Sequence, residues 1–281
     1  MCKSSLGIGL LRAIAYPLLG WCGLASADSL SANDPVMNEI LAGRIKMTCG
    51  FVHGYGAAAK AGVHIRDMQP LYDVGDWINL ATMVGSIGSG IDGFWYVLGR
   101  SAESLGQWDL ATKYYNNALG AKAGCHCMGR TCLTSSNVQK LAEDRKAGID
   151  QVQKVWPEWS ADERDAYLAS ELRRHVTFYG CLRWAEGRSV ADLSQSLIVG
   201  GAEAIEALVS FQRSVGGVDE ARQPIGIKAA TANTVYRQIQ LPRESPDRGL
   251  DREEVVRNCM TANSFVVNGL VLSPSAWHFS Q

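Results

Sequence analysis

The chain has 281 residues, 47% of them hydrophobic and 20% charged, with 29 glycines, 8 prolines and a formal net charge of −1. This balance excludes a disordered, collagen-like or coiled-coil protein. A nucleic-acid footprint or a polybasic membrane patch is not expected either, because both need clustered Lys and Arg to displace counterions.

Residues 1–27 read as a secretory signal: Lys3 and Arg12 near the start, an apolar stretch from Ala13 to Leu24, and Ala25-Ser26-Ala27 as a small-x-small cleavage site. Pro17 breaks the apolar run, which is shorter than the roughly 20 residues that span a bilayer. Cys22 is preceded by Trp21 where lipidation requires a small residue, so cleavage before Asp28 is the expectation. A periplasmic or secreted protein follows, without stable membrane insertion, because no later segment has 18 uninterrupted apolar residues. Removing Lys3 and Arg12 leaves 25 basic against 28 acidic residues, a net charge of −3.

Six cysteines remain after cleavage: Cys49, Cys125, Cys127, Cys132, Cys181 and Cys259. An even number in an oxidising compartment points to disulfides, with connectivity left open. Cys125-His126-Cys127 with Cys132 is the densest set of metal-ligand types, but C-x-C lacks the two-residue turn with which C-x-x-C clasps one ion. Disulfides are therefore preferred there to a metal site or redox catalysis. A Cys125–Cys127 bridge would be strained, so Cys132, Cys49 and Cys181 are the expected partners.

In chain order, Asp34 caps a first helix with Pro35 in its first turn, and apolar spacing at Val36, Ile40, Ile45, Cys49 and Val52 carries the expected helix to Lys60. Trp77, Ala81 and Val84 suggest another helix, followed by a turn at Gly85, Gly88 and Gly90 that lacks the Lys and Ser/Thr of a phosphate loop. The segment DGFWYVLGRSAESLGQWDLATKYYNNALGAKA, from Asp92 to Ala123, then places Trp95, Leu98, Gly99, Gly106, Ala111, Tyr115 and Ala118 at the spacings of paired antiparallel helices.

Those seven positions resemble a tetratricopeptide repeat. The match covers one repeat, and departs from the pattern at Ala102, where an aromatic is usual, and at Ala123, where no proline closes the repeat. In that family the first helix of each repeat lines a concave surface. The resemblance therefore implies that Tyr96, Arg100 and Glu103, on the side away from the packing residues, touch a partner.

Three further helices are expected downstream. Ser136 to Gln139 opens one that Pro157 stops; Ser160-Ala161-Asp162-Glu163 opens a second that ends at Gly187; Ser189 opens a third, interrupted at Gly200-Gly201 and ended at Gly216-Gly217. Between Gly217 and Asp251 the prolines and a charged run read as a linker. A last helix starts near Asp251, and Asn268-Gly269 suggests a short hairpin.

The chain thus divides into 1–27 (signal), 28–134 (repeat-bearing region), 135–216 (helical region) and 217–281 (irregular segment with a C-terminal helix). The expected fold is all-α, a solenoid or bundle of tetratricopeptide-like helix pairs with a short C-terminal hairpin. The scattered histidines His53, His64, His175 and His278 sit in no H-E-x-x-H, G-x-S-x-G or phosphate-loop context. No catalytic residue, metal or cofactor is assigned. The functional expectation is an exported scaffold that binds a protein or peptide. The alternative is an envelope hydrolase with active residues such as Glu158 or His175 drawn from separate helices; Glu163, near Trp156 and Trp159, reads more simply as a helix cap.

Overall fold

The computed structural model describes residues 34–48, 67–121, 127–128, 131–132, 138–215, 239–243 and 251–265. Within them the fold is all-α: α1 (Pro35–Leu41), α2 (Met68–Val74), α3 (Trp77–Ile87), α4 (Asp92–Ser104), α5 (Trp108–Leu119), α6 (Val138–Val155), α7 (Ala161–Ala185), α8 (Val190–Val215) and α9 (Arg252–Ala262). One two-residue antiparallel ladder pairs Cys127 with Cys132 and Met128 with Thr131.

Several boundaries follow from local chemistry. The Asp34 carboxylate accepts from the Val36 and Met37 amides, and Pro35 stands in the first turn where its missing N–H costs nothing. Ser160 and Glu163 form a complete capping box on α7, each side chain accepting the other's backbone N–H. Asp251 caps α9 by accepting from Glu253 N. After α6 the chain tightens into a 3-10 turn, Trp156–Glu158, where Pro157 ends the α-helix.

Three expectations are corrected. The first helix ends at Leu41 instead of reaching Lys60, because Gly43 turns left-handed at φ +65° and lets the Arg44 and Ile45 amides bond back to Glu39 O. The turn expected from Gly85 begins at Gly88, and Gly85 stays inside α3 against Val36 and Ile40 of α1. The third downstream helix is unbroken through Gly200-Gly201. There a side chain on Gly200 would approach Val74 Cγ1 at 3.2 Å, so the small residue permits α8 to lie close on α2. Ser136-Asn137, the 268–269 turn and residues 1–27 lie outside the described residues.

Helices α3 to α6 run alternately up and down. The Ser101 hydroxyl, late in α4, donates to Trp77 O at the start of α3 (2.8 Å); Trp95 stacks on Tyr114 across α4 and α5; and α6 lies antiparallel to α5, with Lys146 donating to Asn116 Oδ1 and Gln153 to Asp109 Oδ1. Helices α7 and α8 pack on each other and on α2, α8 also meets α3, and α9 docks on α7. A disulfide between Cys181 and Cys259, Cα atoms 5.8 Å apart, fastens that last contact. The buried side chains of α1 through α9 form one continuous cluster, with Tyr72, Phe94, Leu98, Tyr114 and Tyr115 fully enclosed. Among the described residues no helix is long and apolar enough to cross a membrane.

Candidate functional site

The three residues expected on an open face of α4 are buried: Tyr96 is 4%, Arg100 6% and Glu103 5% exposed. This placement is a correction, and its cause is that α4 has no outer side. It is flanked by α3, α5 and α6, so nearly every residue from Gly93 to Glu103 is enclosed. Tyr96 packs its ring against Tyr115. Arg100 donates Nη1 to Glu103 Oε2 (2.8 Å) and lays its guanidinium over Trp77, 4.9 Å from the ring centre.

Glu103 is the hub of a buried charge network. Arg145 from α6 forks onto both of its oxygens and reaches Glu171 Oε2 of α7 at 3.0 Å, while the Tyr115 hydroxyl donates to Glu103 Oε2 at 2.5 Å. Burial by itself would raise the Glu103 carboxyl, but the charges of Arg145 and Arg100, with the hydrogen bonds from Arg145 and Tyr115, outweigh it and bring the pKa down to about 2. Arg174 adds a more exposed contact to Glu171 at 3.9 Å. The four charged residues Arg100, Glu103, Arg145 and Glu171 also line a partly open cavity of about 40 Å³, with Trp77, Trp108, Tyr167, Leu172 and, from α8, Ile205 and Leu208.

A second, larger hollow of about 590 Å³ runs between α2, α7 and α8, a volume in the range of ligand-binding clefts. Leu71, Val74, Tyr179, Leu193 and Leu197 give it an apolar floor, and Glu186, Arg188 and Glu203 stand among its polar lining. In the lining of the hollow, Arg183 clamps Asp73: Nε to Oδ2 at 2.9 Å and Nη2 to Oδ1 at 3.2 Å, with Gln69 donating to Oδ1 at 2.6 Å. Burial raises the Asp73 carboxyl, and Arg183 opposes it. Both Asp73 oxygens are thus engaged in positioning α2 against α7. Arg183 also reaches Glu186 at 2.8 Å, and Arg252 of α9 pairs with the same carboxylate.

The two residues of the hydrolase reading are not brought together. His175 is held in an aromatic nest with Tyr72, Trp77 and Tyr179, its Nε2 2.6 Å from Tyr72 O, and burial followed by the charge of Arg100 drives its pKa down to about 3. Glu158 is exposed on the 3-10 turn, and neither residue lines either hollow. Glu163 serves the α7 cap.

Of the six disulfide candidates, Cys181 and Cys259 are joined. Cys181 is therefore not the partner expected for Cys125 or Cys127. Cys127 and Cys132 face each other in the backbone ladder, and Cys49 and Cys125 lie outside the described residues. Among the described residues no cluster of three or more His, Cys, Asp or Glu side chains is arranged to hold a metal.

Arg145, Glu171, Asp73, Arg183 and Trp108 were not singled out from the sequence. The signal for Arg183 was present: a lone charge inside the apolar run Cys181-Leu182-Arg183-Trp184, a setting in which a charge must be paired. No family model, curated protein or solved structure matches the chain.

Proposed function

We propose that the protein is an exported, tetratricopeptide-like helical scaffold whose groove between α2, α7 and α8 takes an extended peptide segment of a protein partner. The observation that carries this reading is the groove itself, about 590 Å³ with an apolar floor and charged residues around it. That arrangement is the usual anatomy of a recognition surface, in which apolar anchors supply affinity and charged groups supply register. The helical-repeat part of the reading is supported by the α4–α5 pair, where Gly99 admits Tyr115 and Gly106 makes the turn at φ +68°. The groove residues differ from those the resemblance implied: Glu103 ties α4 to Arg145 of α6, Arg100 pairs with it within α4, and neither lines the groove.

The reading is preferred to a hydrolase because Asp73, the half-buried carboxylate held by Arg183 in the groove, has both oxygens committed to Arg183 and Gln69. The test is selection from a displayed peptide library, followed by affinity measurement against Ser196→Trp, which places an indole in the groove from an exposed position on α8. Peptides bound through the groove lose tenfold or more in affinity, while the variant's melting temperature stays near that of the parent. Undiminished binding to the variant places recognition elsewhere, and cleavage of the selected peptides moves the reading to the hydrolase.

A further inference from the structure

The charged side chains in the lining of the groove between α2, α7 and α8 are Asp73, Arg183, Glu186, Arg188 and Glu203. Arg183 bonds both Asp73 and Glu186, and Arg252, from outside the lining, adds a second cation to Glu186. These four charges balance one another. Arg188 and Glu203, both exposed, make no side-chain hydrogen bond or ion pair among the described residues. They alone set the charge that an occupant of the groove must carry.

The two stand at opposite ends. Arg188 lies in the turn that joins α7 to α8, where its amide bonds back to Arg183 O and Ser189 accepts from Asp192 N at the start of α8. Glu203 lies between three and four turns further along α8, so roughly 20 Å separates them along the helix axis. Between them the same face of α8 presents Leu193, Leu197 and Gly200 to the groove, with Val74 of α2 packed against Gly200. The acidic end is reinforced by Asp76 at the cap of α3, which is 2% exposed. Burial raises its carboxyl against its hydrogen bonds from Asn79, and the like charge of Glu203 adds to the rise. Neither carboxylate has a cationic partner among the described residues.

Resting on the peptide-groove reading above, we propose that the groove selects an extended segment with an acidic side chain seated at Arg188 and a basic one at Glu203, about six residues apart. The spacing follows from a rise of about 3.3 Å per extended residue over roughly 20 Å. It also has the right parity: side chains alternate in an extended chain, so residues an even number apart face the same side. The apolar residues at the second and fourth positions between the charges then face Leu193 and Leu197, and the odd positions face solvent. Exposed end charges of this kind fix register and partner choice, because a segment with the wrong sign at either end meets like charge.

The test repeats the displayed-peptide selection on the parent, Glu203→Lys and Arg188→Glu, whose exposed positions leave the fold intact. Selected peptides, blocked at both termini, are then measured on all three proteins and on Ser196→Trp. The parent is expected to enrich one acidic and one basic residue about six apart, Glu203→Lys two acidic residues, and Arg188→Glu two basic ones. A parent-selected peptide loses roughly tenfold in affinity on Glu203→Lys and regains it when its basic residue is replaced by Glu. Peptides without the charge pair, or equal affinity for the parent and both charge variants, overturn the charge register. If Ser196→Trp still abolishes binding in that case, the groove reading survives alone. Indifference to Ser196→Trp as well, or a selection that yields no binder, removes both.

Discussion

Gly99 presses against the ring of Tyr115 so closely that a Cβ built on Gly99 would stand 2.6 Å from Tyr115 Cδ1. The α4–α5 interface therefore has no room for even a methyl group, and Gly99→Ala should destabilise by roughly 1–3 kcal/mol through overpacking. Gly148, exposed on α6, has nothing within 4 Å of its added Cβ. Gly148→Ala should stabilise by about 0.5–1 kcal/mol, the helix-propensity gain alone. Denaturant melts of the two variants distinguish them by sign, and a shared sign contradicts the packing at Gly99.

Removing the hub of the charge network leaves Arg100 and Arg145 without their shared carboxylate. Glu103→Gln should cost about 3–5 kcal/mol, as expected when one partner of a buried ion pair is lost. The exposed Lys140–Asp144 pair on α6 is the comparison: Asp144→Asn should change stability by less than about 1 kcal/mol. Equal losses would mean that the network is solvated in solution.

His175 makes stability depend on pH. Its folded pKa of about 3 lies below the ordinary 6.5, so as pH falls from about 6.5 toward 3 the unfolded chain takes up a proton that the folded state refuses. Stability then falls, by up to about 1.4 kcal/mol per pH unit. Glu103 acts in the same direction but only below its ordinary 4.5. Asp73 and Asp76, both raised by burial, work the opposite way. Subtracting the unfolding free energies of His175→Gln from those of the parent at about pH 7 and about pH 5 isolates the histidine. A difference that does not change between the two pH values would show that His175 protonates freely.

The disulfide spans a sequence separation of 78, and closing a loop of that length stabilises the fold by about 4 kcal/mol in the chain-entropy account. Cys181→Ala/Cys259→Ala should melt at clearly lower denaturant than the oxidised parent. The reduced parent should match the double variant, and indifference to reductant would mean that the two thiols are unjoined.

Most of the helices were legible because their determinants are local. The caps at Asp34, Ser160 and Asp251 act over two or three residues, and the stripe Leu168, Leu172, Val176 and Tyr179 repeats at helical spacing on α7. The continuity of α8 through Gly200-Gly201 was not legible, since the contact that uses those glycines comes from Val74 on a distant helix. The site was hidden for the same reason. Glu103 meets Arg145 across 42 residues and Arg183 meets Asp73 across 110, and no spacing rule reaches so far. Tyr96, Arg100 and Glu103 were misplaced because a one-sided helix was assumed where α4 is enclosed all round.

The bridge between Cys181 and Cys259 also makes the chain a closed ring over that stretch, with α8 lying wholly inside it. A protease that cuts once anywhere inside the ring produces no separate fragments: the nicked protein keeps its mass apart from one added water and migrates as a single species until a reductant is added. Nicking is therefore visible as two bands on a reducing gel and one on a non-reducing gel, whereas a cut between Cys132 and Cys181 separates the chain under both conditions.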